Sequence, residues 1–279
     1  MDLVNVQELI SPTSEAEIPP WRPGDAYVAG GTWLFSEPQP EVRRLIDLSG
    51  LPTAPISVGT GELRLAAGCT YRELREQGDR LGDASELFER AVRTLSSSFK
   101  TWGLATIGGN VCLAYPKSMM APVFSLLKAE YELRTPGGVE RTVPAELFQI
   151  GAQKTVRRDG EYLRAVRIPA AALYGRFALA KESYTATSHA VAMVIGRDSV
   201  PGAEGTIRLV ASAATAHPVA MEIAADATEE EAVRAMEGAL RSVQFLDDGH
   251  GSASYRNGLL RQLVANVWGE LHEEGLRES

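Results

Sequence analysis

Two stretches of the chain have the residue types and spacing to hold an anion: VAGGTW, Val28 to Trp33, and TIGGN, Thr106 to Asn110. Each approaches through apolar residues, turns on two adjacent glycines and then meets a threonine hydroxyl or an asparagine amide. Paired glycines allow positive φ and let successive backbone N–H groups point into one concavity, which holds phosphate oxygens without a cationic side chain. A helix starting just beyond adds its partial positive charge. Two such segments face to face would suit a diphosphate. The same residues also make tight turns between strands, and spacing alone leaves both readings open. The Gly-Lys-Ser/Thr ending of a Walker loop and the G-x-G-x-x-G of a Rossmann fingerprint are both absent.

Other reactive side chains are sparse. His189 titrates near neutrality in its free form, which suits acid–base work, but a partly buried histidine satisfying a backbone group is the simpler reading. His217, His250 and His272 have no ligand spacing with one another and read as structural or exposed. The two cysteines, Cys69 and Cys112, lie in no C-x-x-C and read as small core residues; they cannot build an iron–sulfur cluster or a cysteine-based zinc site in this chain. No catalytic residue and no metal site is assigned. Trp33 either lies against a bound ring or fills core beside the first loop. Phe99 and Trp102, just before the second glycine pair, read as packing that fixes it. Lys117 reads as an exposed lysine, with a charge near a ribose or phosphate as the alternative, and Met119 and Met120 read as core filler. The run TEEEA, from Thr228, is the solvated start of a helix.

These residues need a frame, and the hydrophobic pattern predicts one. From Ala26 to about Pro55 there are two strand-like runs, AYVAG and RRLIDL, with Pro38 and Pro40 forbidding a long helix between them. ISVG and ELRLAAG read as a hairpin turned by GTG. Thr70 and Glu73 form a capping box for the helix YRELREQGDRL, and ELFERAVRTLSSS is helical by its spacing. The helix MAPVFSLLKA follows the second glycine pair. Strands AEYELRT and GVERTVPA flank a Pro-Gly-Gly turn, and GEYLRAVRIP closes the region. Beyond Gly175, FALAKESYTATSHAVAMVIG and GTIRLVASAATAHPVAMEI read as a strand, a helix and further strands. An amphipathic helix capped by Thr228 and a terminal helix, YRNGLLRQLVANVWGELHEE, complete an α+β architecture.

The 279 residues can bury a sizeable core, and two domains are expected. Hydrophobic residues at 44% and charged residues at 23% are ordinary for a soluble protein. A formal net charge of −8 argues against nucleic acid or an anionic membrane as the main partner. The first residues lack a secretory pattern, and no run approaches the length needed to span a bilayer, so a cytoplasmic location is expected.

At the glycine segments the sequence resembles the FAD-binding (medium) subunit of the molybdenum hydroxylases, of the xanthine dehydrogenase and carbon monoxide dehydrogenase type. VAGGT is similar to that family's first pyrophosphate loop and ATIGGN to its second; LRLAAGCTYREL, LFQIGAQKTVRRDGEYLRAVRIP and DDGHGSASYR match further family segments. The resemblance implies two α/β subdomains of the vanillyl-alcohol-oxidase (PCMH) type, about 1–55 and 56–172, clamping FAD. It implies an α+β domain, 173–279, like the C-terminal domain of the carbon monoxide dehydrogenase flavoprotein, covering the flavin. Ala29, Gly30, Gly31 and Thr32 would hold one side of the pyrophosphate and Thr106, Ile107, Gly108 and Gly109 the other. Asn110 would brace the second loop, Lys181 would lie at the flavin end, and Trp33 and His189 would stand nearby. Electrons would pass from a partner iron–sulfur subunit, fed by a molybdopterin large subunit, through FAD to NAD+ or another acceptor. Three departures stand out. Met119 replaces the usual acid of a Pro-x-x-Asp run, Thr185 and Ser188 replace an Arg and an Asp, and HPVAM lacks an expected Arg. They motivate an alternative, a structural subunit with weak or no FAD binding.

Overall fold

The structure, a computed structural model, describes residues 3–94, 100–185, 188–200 and 202–273. A small parallel sheet comes first: β1 (Glu8–Ile10), β2 (Asp25–Val28) and β3 (Arg44–Asp47), in the order β1-β3-β2. The sequence pattern signals β2 and β3 but not β1, a three-residue edge strand whose side chains stay largely exposed. Parallel neighbours need a crossover connection, and between β2 and β3 this is the proline-containing loop that begins with Ala29. The first glycine loop therefore leaves the carboxyl end of a parallel strand.

One buried ion pair locks this sheet. Asp25 and Arg44 face each other across β2 and β3. The Arg44 guanidinium donates to the Asp25 carboxylate at 2.7 and 2.5 Å and to the Pro20 carbonyl at 2.9 Å. Burial pushes the Asp25 carboxyl up, but the Arg44 guanidinium and the Arg22 N–H outweigh it and hold the group below its ordinary value.

The second sheet is antiparallel. Its strands are β4 (Ile56–Gly59), β5 (Glu62–Ala66), β6 (Glu130–Arg134), β7 (Glu140–Pro144) and β10 (Tyr162–Pro169), in the order β4-β5-β10-β6-β7. Between β7 and β10 lie α5 (Ala145–Phe148) and a hairpin of β8 (Gln149–Gly151) and β9 (Lys154–Thr155), which the sequence pattern does not announce. The helices α1 (Tyr71–Glu76), α2 (Ser85–Thr94), α3 (Ile107–Leu113) and α4 (Met120–Leu126) pack its core. The Thr70–Glu73 capping box is present, and α1 ends early in short 3-10 turns. The residues expected to extend α2, and Phe99, lie outside the described residues. Gly160 joins the first sheet to the second: at φ +77°, its carbonyl accepts from the Tyr27 hydroxyl at 2.9 Å, and a Cβ would meet Trp21 at 2.7 Å.

The C-terminal part is a four-stranded antiparallel meander, β11 (Phe177–Glu182), β12 (Ala192–Arg197), β13 (Thr206–Ser212) and β14 (Val219–Ala224), followed by α6 (Glu229–Leu240) and α7 (Ala253–His272). The helix expected between Phe177 and Ile223 is absent among the described residues. Its apolar residues instead alternate between two faces. Leu179, Met193, Ile195 and Val210 join the core around α4, whereas Ala178, Val194, Leu209 and Ala211 join a second core under α6 and α7. Thr228 caps α6 as expected and forms a capping box with Glu231, and α7, capped by Ser252, begins two residues before the expected start. Every residue of α4 is buried, because that helix is covered by the second and third sheets together. Among the described residues no helix is long and apolar enough to cross a membrane.

Replacing Arg44 by Met is expected to leave Asp25 buried and uncompensated, at a cost of about 3–5 kcal/mol. Urea unfolding followed by circular dichroism measures it; a loss below about 1 kcal/mol would remove the pair as the lock of the first sheet.

Candidate functional site

The two glycine segments meet, and they do so through backbone. A Cβ on Gly30 would stand 1.6 Å from the Leu104 carbonyl oxygen, so only glycine permits the approach. Gly31 sits at φ +65°, and a Cβ there would meet the Phe35 ring at 2.3 Å. The chain then folds over itself, Phe35 N–H donating to the Gly31 carbonyl at 2.9 Å and Ser36 N–H to the Trp33 carbonyl at 2.9 Å. The N–H groups of Gly31, Thr32 and Trp33 have no acceptor among the described residues. Thr32 is exposed. The first loop is thus a short row of uncommitted donors.

The second segment is built differently. TIGGN is no loop: Thr106 is the N-cap of α3, and the glycines lie in its first turn. Glycine costs about 1 kcal/mol in a helix interior, and the reason for it at Gly108 is space, since a Cβ would meet Ala67 at 2.7 Å. Ile107 N–H donates to the Cys69 carbonyl at 2.9 Å, Gly108 N–H to Ala67 at 2.8 Å, Gly109 N–H to the Thr106 hydroxyl at 3.0 Å and Asn110 N–H to the Thr106 carbonyl at 3.1 Å. Its donors are spent on protein. The Asn110 side chain accepts from the Ser118 hydroxyl and so ties the helix to the turn that follows it. Buried Cys69, its thiol pushed up to about 12 by burial, belongs to the core as expected.

Beyond α3 the structure departs from one expectation, at Lys117, and bears out another, at Met119. Lys117 is not exposed: its side chain is almost fully buried, with its ammonium 3.1 Å from Asp248 and 3.4 Å from His250 Nδ1. Met119, at the position where the resemblance implies an acid, is sealed in the core, so that position points away from any ligand beside the loops. Thr185 and Ser188 bond each other, through Thr185 N–H to the Ser188 hydroxyl at 2.9 Å and Ser188 N–H to the Thr185 hydroxyl at 3.1 Å.

Asp248 is the hub of a polar cluster that sequence reasoning missed. Fully buried Arg256 donates to it at 2.5 Å and spends its remaining N–H groups on the carbonyls of Val191, Ala213 and Gly251. Burial pushes the Asp248 carboxyl up, but the His250 N–H, Lys117 and Arg256 bring it down to about 2. Both residues lie within DDGHGSASYR, where the spacing carries no hint that they would reach the turn after α3.

His189 stands beside this cluster. Its imidazole is held below its ordinary value by partial burial and by the nearby Lys117 and His250, and its ring lies 5.6 Å from Tyr115. Trp33 is not core filler: it is 37% exposed and rests on Tyr115 at 5.6 Å. Lys181 lies apart, in a cleft of about 520 Å³ bordered by Arg90, Arg93, Leu259 and Asn266, and no residue of either glycine segment lines it. Burial lowers the Lys181 ammonium. Among the described residues, no group of three or more His, Cys, Asp or Glu side chains could hold a metal ion.

Residues 4–171 match the model of the FAD binding domain in molybdopterin dehydrogenase, and the chain belongs to that family. FAD is accordingly its cofactor. The nicotine 6-hydroxylase medium subunit of Paenarthrobacter nicotinovorans is 28% identical over 171 residues, covering 57% of this chain and 58% of that protein. Xanthine dehydrogenase 1 of Arabidopsis thaliana is 35% identical over 66 residues, 24% of this chain and only 5% of that protein. The match therefore spans well under two thirds of either relative. Among solved structures, quinoline 2-oxidoreductase from Pseudomonas putida 86 superposes with a TM-score of 0.79 at 20% identity, over 97% of this chain and 98% of that one. A reconstituted CO dehydrogenase from Oligotropha carboxidovorans does so with 0.81 at 20% identity, over 97% and 99%. At such identities the likeness concerns the fold, and it bears out the α+β architecture along nearly the whole chain.

Two outcomes check this geometry. Gly30→Ala is expected to force the two segments apart and to cost upward of about 3 kcal/mol in urea unfolding; an unchanged midpoint would mean they do not abut. The folded-state pKa of Asp248 lies below the unfolded value of about 3.9. Its contribution to stability is therefore complete above about pH 4 and is lost as pH falls toward 2. Unfolding curves between pH 2 and 7 should show that loss in the parent and a shallower acid slope in Asp248→Asn. Identical slopes would detach Asp248 from the acid response.

Proposed function

We propose that this chain is the FAD-binding subunit of a cytoplasmic molybdenum hydroxylase complex, residues 1–172 binding the cofactor and 173–279 covering it. The observation that carries the reading is the first glycine loop, whose three consecutive free N–H groups match the acceptor oxygens of a diphosphate. Gly31, Thr32 and Trp33 would hold those oxygens, with Ala29 and Gly30 shaping the turn. Thr106, Ile107, Gly108 and Gly109 would form a rigid floor opposite rather than a second set of donors, braced by Asn110 and Ser118. Lys181, a half-buried cation, would favour negative charge at the flavin end, and His189 would border the ring.

The redox chemistry is that of bound FAD, which would take electrons from the iron–sulfur clusters of a small partner and deliver them to NAD+ or another acceptor. The molybdopterin site would belong to a large partner. In this chain the side chains bind, orient and exclude water, and none is assigned a proton transfer.

A second reading, a structural subunit with weak or no FAD binding, is favoured by three observations: core-facing Met119, the reciprocal hydrogen bonds between Thr185 and Ser188 at positions where the resemblance implies an Arg and an Asp, and the spent donors of α3. One measurement separates the two. The absorption spectrum of the purified chain is expected to show flavin bands at near-stoichiometric occupancy, or to acquire them on addition of FAD. A protein that stays colourless with FAD in excess would leave the structural reading.

A further inference from the structure

Beside the free donors of the first loop runs a row of planar rings drawn from three distant parts of the chain. Trp33 follows the loop itself, and its ring centroid is 5.6 Å from that of Tyr115, with the planes 37° apart. Tyr115 meets His189 edge-on at 5.6 Å. The aim of Tyr115 is fixed by backbone: it follows Ala114, the C-cap of α3 in the left-handed region at φ 49°, and precedes buried Pro116. Behind it, Lys117 is anchored to Asp248, so the turn carrying the ring is held from below. Trp33 is too exposed for a ring whose only task is filling core.

The polar groups that the altered sequence leaves beside the loops are few. Met119 faces the core, and the Asn110 side-chain oxygen is taken by Ser118. Flat π surfaces lie beside these donors, and stacking on them suits any planar base.

We propose that Trp33 and Tyr115, with His189 closing the row, form the wall against which a planar heteroaromatic ring of the bound dinucleotide lies. The proposal rests on the reading of the first loop as the diphosphate holder. It makes Tyr115 a cofactor-contacting residue and assigns ring contact the part that polar side chains play less of here.

The test is FAD titration of the full-length apoprotein, with inorganic pyrophosphate as a competitor. Tyr115→Ala and Trp33→Ala are each expected to weaken FAD binding about tenfold, whereas Tyr115→Phe and Trp33→Phe should stay within about twofold. The pyrophosphate affinity should be unchanged in both Tyr115 variants, because the loop donors are backbone. The flavin emission of the Tyr115→Ala complex should also rise if the flavin is the ring at the wall. If the adenine is, competition by ADP should weaken instead and competition by riboflavin should not. FAD binding as tight in Tyr115→Ala as in the parent overturns the proposal, as does a proportional loss of FAD and pyrophosphate, which would make Tyr115 a support for the loop alone. A parent chain that binds pyrophosphate but no FAD sinks this inference together with the proposed function; failure confined to the alanine variants sinks this inference only.

Discussion

The backbone of Gly30 rests on the carbonyl of Leu104, and the site depends on nothing intervening there. That contact joins the crossover loop of a parallel sheet to the stretch that leads into α3, two pieces of chain about seventy residues apart in sequence. With any side chain at position 30 the donors of Gly31, Thr32 and Trp33 would stand off from α3, and the concavity between them would open. The constraint is steric and local, but its reach is long: it fixes how the first sheet sits on the second, with the Gly160–Trp21 contact and the Tyr27 hydrogen bond supporting the same placement from the other side.

Buried cations supply the second layer of order. Arg44 locks the first sheet through Asp25, Arg256 and Lys117 converge on Asp248, and Arg197 is satisfied by the carbonyls of Ala172, Tyr174 and Ser199. Burying charge is costly, and such pairs contribute less to net stability than apolar side chains of the same size would. Each, however, accepts only one arrangement of partners, and those partners come from segments far apart in the chain. In this protein they specify where the loops go more than how strongly the core holds.

What was legible in the sequence follows physical range. The Thr70 capping box, the Thr228 cap and the Gly61 and Gly138 turns are local signals, and each stands where the pattern put it, whereas β10 buries its residues in pairs across a bulge rather than alternately. Of the strands and helix expected in the meander only the helix is absent, because the central strands β12 and β13 are buried on both faces and continuous apolar runs carry no strong period. The glycine pairs were recognisable as places of close approach, but their difference was not. Whether an N–H is free depends on which carbonyl lies opposite, and Ala67 and Cys69 are placed opposite α3 by tertiary structure. Lys117 misled for the same reason, since its burial is decided by Asp248, more than a hundred residues away. Tyr115 gave no sequence signal at all.

The saturated first turn of α3 also bears on the order of assembly. Because Ile107, Gly108, Gly109 and Asn110 already have protein acceptors, the floor of the proposed cofactor site is complete without a ligand. In the proposed site this floor would not need the cofactor as a template, and bound cofactor would add stability by mass action. In the proposed site, the loop that would order around the diphosphate is the one whose donors are still uncommitted. Exchange of the cofactor would then require the first loop to move and leave the rest of the fold undisturbed.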